Sequence, residues 1–242
     1  MDFPEILTAA DITRPRAPTA FYAWVARKNE ELSTTADTKR YARFGAELSK
    51  KFRDEIYPLA LFVAREFADV KDALVIPSLN NDNFDATVCF ADGRPDVFIE
   101  ITQAKDGYDE SLRMEVASRD GIVSLTGPIT RISGRRGAPD RLVNVHHEMV
   151  AHDGLLARHV ALVESAVMRK ANRSYGKNCI LLVVVDDYLP FRDESDHAKL
   201  NNVVTSKLLL PDLDFMRLII FGISGKLLLS YQLPKYSHDK AT

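Results

Sequence analysis

Long apolar runs are scarce in this chain of 242 residues. The longest, CILLVVV at 179–185, falls far short of the roughly 20 residues a membrane-spanning helix needs, so no membrane partner is expected. Cysteine is also rare. Cys89 and Cys179 both lie in strand-like apolar stretches, and there is no CxxC or Cys/His zinc spacing, which argues against a disulfide scaffold or a structural zinc site. Two reduced core cysteines are the expectation. An excess of one charge is missing too: 32 basic residues face 34 acidic ones, for a net charge of −2. No global attraction to nucleic acid follows, and any such surface has to be local. The chain has no Walker A loop, no GxGxxG after a strand and no GxSxG. GISGK at 222–226 lacks the Ser/Thr and the helix a phosphate loop requires, and is better explained as a hairpin turn. The N-terminal MDFPEILTAAD is acidic and broken by proline, unlike a signal peptide, so a soluble cytoplasmic protein is expected.

What is present is apolar content of 46 %, enough for a substantial core, without repeats or low-complexity blocks. Residues 1–37 are expected to form an N-terminal arm with a short helix at 20–31, and residues 38–242 a single α/β domain. Over 38–68, Phe44, Leu48, Phe52, Ile56, Leu59, Val63 and Phe67 recur at three- and four-residue steps, which predicts a helix that Pro58 kinks or divides. ALVIPS at 73–78 reads as a strand. Residues 84–90 and 97–102 alternate with period two across the turn ADGRP, which predicts an antiparallel hairpin. A short helix is expected at 106–119, and a second hairpin with a basic loop within 120–145. A helix over 147–171 follows, with Leu156, Val160, Val163 and Val167 inside. Residues 178–187 form a continuous apolar run and predict a central strand covered on both faces. A polar helix or loop spans 192–206, and the segments 215–223 and 226–233 predict a terminal hairpin.

Two acids interrupt the first hairpin: Asp85 in NFDATV and Glu100 in VFIEITQ. On hairpin geometry both can point to one face. A helix, a β-meander with Asp on its second strand and Glu-x-Thr on its third, a further helix and a central strand together resemble the PD-(D/E)xK nuclease superfamily, over roughly residues 40 to 187. The resemblance implies a restriction-endonuclease-like fold: a mixed central sheet flanked by helices, here with an appended C-terminal hairpin. It implies a nuclease that hydrolyses phosphodiester bonds of DNA or RNA with Mg²⁺ or Mn²⁺ held by Asp85 and Glu100, since hard cations prefer carboxylate, water and phosphate oxygens. The family places a lysine two residues beyond the Glu, on the same face. Here that position is Thr102, which carries no positive charge. Gln103 points to the opposite face of a regular strand, and Lys105 returns only if the strand bulges or ends. Lys170, in MRKANRSY, is the candidate replacement from the neighbouring helix. Glu55 is the preferred acid from the first helix, ahead of Glu47.

Arg131, Arg135, Arg136 and Arg141 cluster in one segment, and Arg169, Lys170, Arg173 and Lys177 in another, as local concentrations suited to phosphate. Five of the six histidines lie between 146 and 197 without a zinc spacing, and His146 or His147 is a candidate auxiliary. The expected partner is nucleic acid, DNA ahead of RNA, with a second copy or another protein as further options. The alternative is a catalytically inactive nuclease-fold protein that binds nucleic acid or a protein partner; a third is an interaction protein without nucleic-acid contact.

Overall fold

The computed structural model describes residues 6–44, 47–79, 83–121, 123, 127–134, 142–146, 148–208 and 213–233. Its strands are β1 (Ala73–Pro77), β2 (Ala86–Phe90), β3 (Val97–Gln103), β4 (Ile129–Ser133), β5 (Leu142–Val145), β6 (Cys179–Val185), β7 (Arg217–Gly222) and β8 (Leu228–Gln232). Six of them form one mixed sheet in the order β1-β2-β3-β6-β7-β8. β1, β2 and β3 are an antiparallel meander, β3–β6 and β6–β7 are parallel, and β7–β8 is antiparallel. β4 and β5 pair separately as a two-stranded sheet, the second hairpin expected from 120–145.

The uninterrupted apolar run of β6 has a direct cause: every one of its residues is buried. Its even-numbered side chains, Ile180, Leu182 and Val184, join Val88, Ile99 and Ile101 in a core against α2 (Pro18–Ser33) and α5 (Tyr57–Glu66). Its odd-numbered ones, Leu181, Val183 and Val185, join Leu156, Val163 and Val167 of α7 (His152–Met168) and Leu200 of α8 (Glu194–Val203). A strand covered on both faces has no polar position to alternate with. The fold is therefore α/β, with a mixed six-stranded sheet flanked by helices. Among the described residues no helix is long and apolar enough to cross a membrane.

Residues 6–33 do not stand off as an arm. Ile12 on α1 (Ala9–Thr13) and Phe21, Trp24 and Val25 on α2 belong to the same core as α5 and β1–β3. Arg16 and Val75 exchange both backbone hydrogen bonds, so the N-terminal segment bonds to the edge of the sheet. Prolines suggested an irregular arm, but Pro18 starts α2, where its missing N–H costs nothing.

The helical stripe of 38–68 is broken into α3 (Ala36–Phe44), α4 (Glu47–Lys51), a π-helical turn (Phe52–Ile56) and α5. Pro58 accounts for the widened turn. It has no N–H for the carbonyl of Asp54, and its ring would press on that carbonyl in a regular α-helix. The chain instead closes an i→i+5 bond from Tyr57 N–H to Phe52 O. Helix α7 starts at His152 rather than 147 and stops at Met168, so Lys170 lies in the turn that follows. α6 (Gly107–Asp120) packs through Leu112 and Val116 on Ile129 of the small sheet.

Candidate active site

β2 and β3 separate at the start of β2. Their register pairs Ala86 with Ile99, so Asp85, one residue before β2, stands across from Glu100. The backbone ladder continues one step, with Asp85 N–H donating to Ile99 O at 2.9 Å. The next donor on β3, Ile101 N–H, gives its hydrogen bond to the Asp85 carboxylate at 2.7 Å. Asp85 thus sits at a bend ahead of the strand rather than inside it, and its side chain caps the place where β2 leaves β3.

The π-helical turn docks beside this fork. Gln103 Nε2 donates to Asp54 O, the carbonyl that Pro58 cannot serve. Lys105 Nζ pairs with Asp54 Oδ1 at 2.9 Å, and Arg53 Nε meets the same oxygen at 3.0 Å. Burial acts to raise the Asp54 carboxyl, but these two cations outweigh it and hold it below its usual range. Lys105 is therefore engaged by Asp54. Glu55, the next residue, turns towards Asp85. Its Oε2 is buried and has no hydrogen-bond partner among the described residues, and Lys51 Nζ is 3.9 Å away. Glu47 is exposed at the start of α4.

Glu100 and Thr102 lie on the α7 side of β3, each only 7 % exposed. Both are met by the turn after α7. Lys170 Nζ forms an ion pair with Glu100 Oε1, and Tyr175 O–H donates to the same oxygen at 3.3 Å. Arg169 Nη2 donates to Gln103 O at 3.0 Å and reaches within 3.5 Å of Thr102 Oγ1. A guanidinium thus covers the threonine that stands at the lysine position of the resembled motif. In the sequence Arg169 stands out only as part of a basic patch. Its signal was adjacency to Lys170, one residue on.

The electrostatics follow from this crowding. Burial, then the charge of Asp85, pushes the Glu55 carboxyl up to about 7, against a smaller opposing pull from Lys51. Burial, then Glu100, pushes Asp85 up to about 6, although Ile101 N–H, Lys170 and Lys51 work the other way. Desolvation and like charge disfavour the ionised forms, and the cations present do not compensate. Such perturbed acids in a partly covered fork mark a candidate functional site.

The remaining residues singled out from the sequence lie elsewhere or at the margin. Arg173 and Lys177 are exposed on the connection from α7 to β6. Arg131 is exposed on β4, in the separate small sheet. Arg135, Arg136, Arg141 and His147 lie outside the described residues. His146 is exposed and bonds Asn144, His152 pairs with Asp196 at 2.9 Å, and His159 donates to Leu155 O. Cys89 and Cys179 are both free thiols.

As arranged, no three His, Cys, Asp or Glu side chains among the described residues converge closely enough to hold a metal ion by themselves. Asp85 and Glu100 nevertheless form a donor set of the right chemistry for a hard cation. Mg²⁺ commonly takes one or two carboxylates and completes its shell with water and substrate phosphate. The orphaned Oε2 of Glu55 fits the same picture, as a buried acceptor that a cation-bound water would satisfy. Comparison with family models, with curated proteins and with solved structures finds no match for the chain.

Proposed function

We propose that the chain is a divalent-metal-dependent nuclease of restriction-endonuclease-like architecture that hydrolyses phosphodiester bonds of DNA, or of RNA. The observation that carries this reading is the fork itself: Glu55 and Asp85 lie near Glu100 with too little positive charge to hold them at ordinary carboxylate values, and an amine is drawn onto Glu100 from outside the strand. The αβββαβ order of α5, β1–β3, α7 and β6, with β6 parallel to β3, supports it.

In this reading Asp85 and Glu100 hold Mg²⁺ or Mn²⁺, and Glu55 adds a contact through water. The cation supplies charge neutralisation at the phosphate and lowers the pKa of bound water. Lys170 replaces the strand lysine and orients the attacking water. Thr102, too short to reach the substrate, leaves room for Arg169 to face the phosphate, and guanidinium suits that task because its donors match paired phosphate oxygens. Arg173 and Lys177, on the rim, bind flanking phosphates.

One observation favours the second reading, an inactive nuclease-fold protein that binds nucleic acid: Lys170 already closes on Glu100. A single experiment separates the two. Labelled single- and double-stranded DNA and RNA are incubated with the protein in Mg²⁺ or Mn²⁺. The nuclease reading expects cleavage that disappears with chelator and in Asp85→Ala and Glu100→Ala. No cleavage of any substrate, with salt-sensitive binding retained, would establish the second reading in its place.

A further inference from the structure

Asp214 belongs to no motif, yet it is buried and tied to the site loop. It precedes β7, where a parallel bridge joins it to Ser174. Its Oδ2 accepts three hydrogen bonds from one turn: Ser174 Oγ at 2.9 Å, Tyr175 N–H at 2.8 Å and Gly176 N–H at 3.0 Å. Gly176 has φ +91°, a left-handed conformation that a side chain would strain, and this lets two successive N–H groups face one oxygen. The next residue, Phe215, stacks on the Tyr175 ring with centroids 4.3 Å apart. Asp214 therefore fixes the backbone of Tyr175 while Phe215 fixes its ring. What is held in place is the hydroxyl on Glu100 Oε1, the oxygen that Lys170 also meets.

We propose that Asp214 and Tyr175 are positioning residues for Glu100: Asp214 sets the 174–176 turn, and Tyr175, with Lys170, pins Glu100 through Oε1 so that its other oxygen is presented to the cation. This rests on the metal site proposed above. Hydrogen-bond partners behind a metal ligand typically contribute about 10- to 100-fold to metal affinity or activity by fixing the ligand's orientation.

The test is Mn²⁺ binding by titration calorimetry on the full chain, with a double-mutant cycle. Tyr175→Phe keeps the ring on Phe215 and removes only the donor; it is expected to weaken binding about tenfold. Asp214→Ala is expected to weaken it to a similar extent, with Asp214→Asn, which keeps an acceptor, recovering most of the loss. Because Asp214 acts through Tyr175, the double variant Asp214→Ala/Tyr175→Phe should be no weaker than Asp214→Ala alone. A product of the two losses, about a hundredfold, would show that Asp214 acts by another route and overturn the proposal. Unchanged affinity in Tyr175→Phe also overturns it, and that variant is informative even if Asp214→Ala folds poorly. If the unaltered chain binds no Mn²⁺, the metal reading itself fails and the positioning role with it. If the unaltered chain binds and Tyr175→Phe binds equally, the positioning role alone fails.

Discussion

Asp187 and Glu55 are both acids set against the central sheet, and their surroundings are opposite. Asp187 is 4 % exposed, and its carboxylate accepts from Ser224 N–H at 2.8 Å, from Ser224 Oγ–H and from Leu227 N–H at 3.3 Å. It pins the turn between β7 and β8 so closely that a Cβ on Gly222 would lie 2.1 Å from Asp187 Oδ2. Asp214 likewise has three donors on one oxygen. Glu55 has a buried oxygen with no donor among the described residues and a second acid, Asp85, raising its pKa. A buried carboxylate that serves the fold is met by N–H groups of the turn beside it. Glu55 and Asp85, at the β2–β3 fork, are instead short of donors and raise one another, at a cost that protonation or a ligand offsets.

The largest effects should separate these two classes cleanly. Asp85→Ala and Glu100→Ala should each lower metal-dependent cleavage by about a thousandfold, the scale of losing a ligand that stabilises transition-state charge, with a smaller loss of melting temperature, since Asp85→Ala strands only the Ile101 N–H and also relieves a raised acid. Asp187→Ala should do the reverse. It strands the Ser224 and Leu227 N–H groups, costs about 3 kcal/mol and lowers the melting temperature by about 10 °C, with activity retained at low temperature. Equal thermal losses in both classes would erase the distinction.

Next in size is Lys170→Met, expected to reduce cleavage about a hundredfold as a lost positioning and charge contact. Lys170 also helps restrain the Asp85 carboxyl, so the same variant should titrate Asp85 above its value of about 6, as followed by carboxyl-carbon NMR. A fall would mean that Lys170 and Asp85 do not interact.

The pH dependence of stability sharpens the contrast further. Glu55 is raised in the fold, so its favourable contribution is complete below its unfolded value near 4.5 and is lost as pH climbs through about 7. Glu55→Gln, which stays neutral, should therefore gain about 2 kcal/mol over the unaltered chain at pH 8, after allowance for partial exposure, and nothing at pH 4. Denaturant melts at the two pH values without metal measure this directly. The smallest effect is on the rim: Arg173→Gln and Lys177→Gln should each reduce the slope of log affinity against log salt by about 0.9 for duplex DNA if each meets one phosphate.

The sequence allowed Asp85 and Glu100 to share one face because hairpin register is local: two alternating runs across a short turn leave few ways to align. The separate β4–β5 hairpin and the terminal β7–β8 hairpin were legible for the same reason. Glu55 and Lys170 were named through resemblance, and the geometry brings both to the fork, yet their routes were hidden. Glu55 arrives on a π-helical turn that no 3.6-residue period describes, and Lys170 from a turn beyond its helix. Asp214, Phe215 and Tyr175 meet only because β7 lies parallel to β6, a pairing made across some forty residues, and no local pattern encodes it. The helix at 20–31 was legible and is the body of α2, but the prolines around it hid its packing: that Pro18 starts a core helix is evident only from the folded chain.

On the proposed reading, Glu55 and Asp85 are under-compensated in the free protein and are relieved by a divalent cation. Carboxyl-carbon NMR titration of the folded chain, with and without Mg²⁺, tests it most directly. One glutamate should titrate at about 7 and one aspartate at about 6, assigned by Glu55→Gln and Asp85→Asn, both moving down when Mg²⁺ is added. Ordinary titration of both acids near 4, unmoved by the cation, would contradict it.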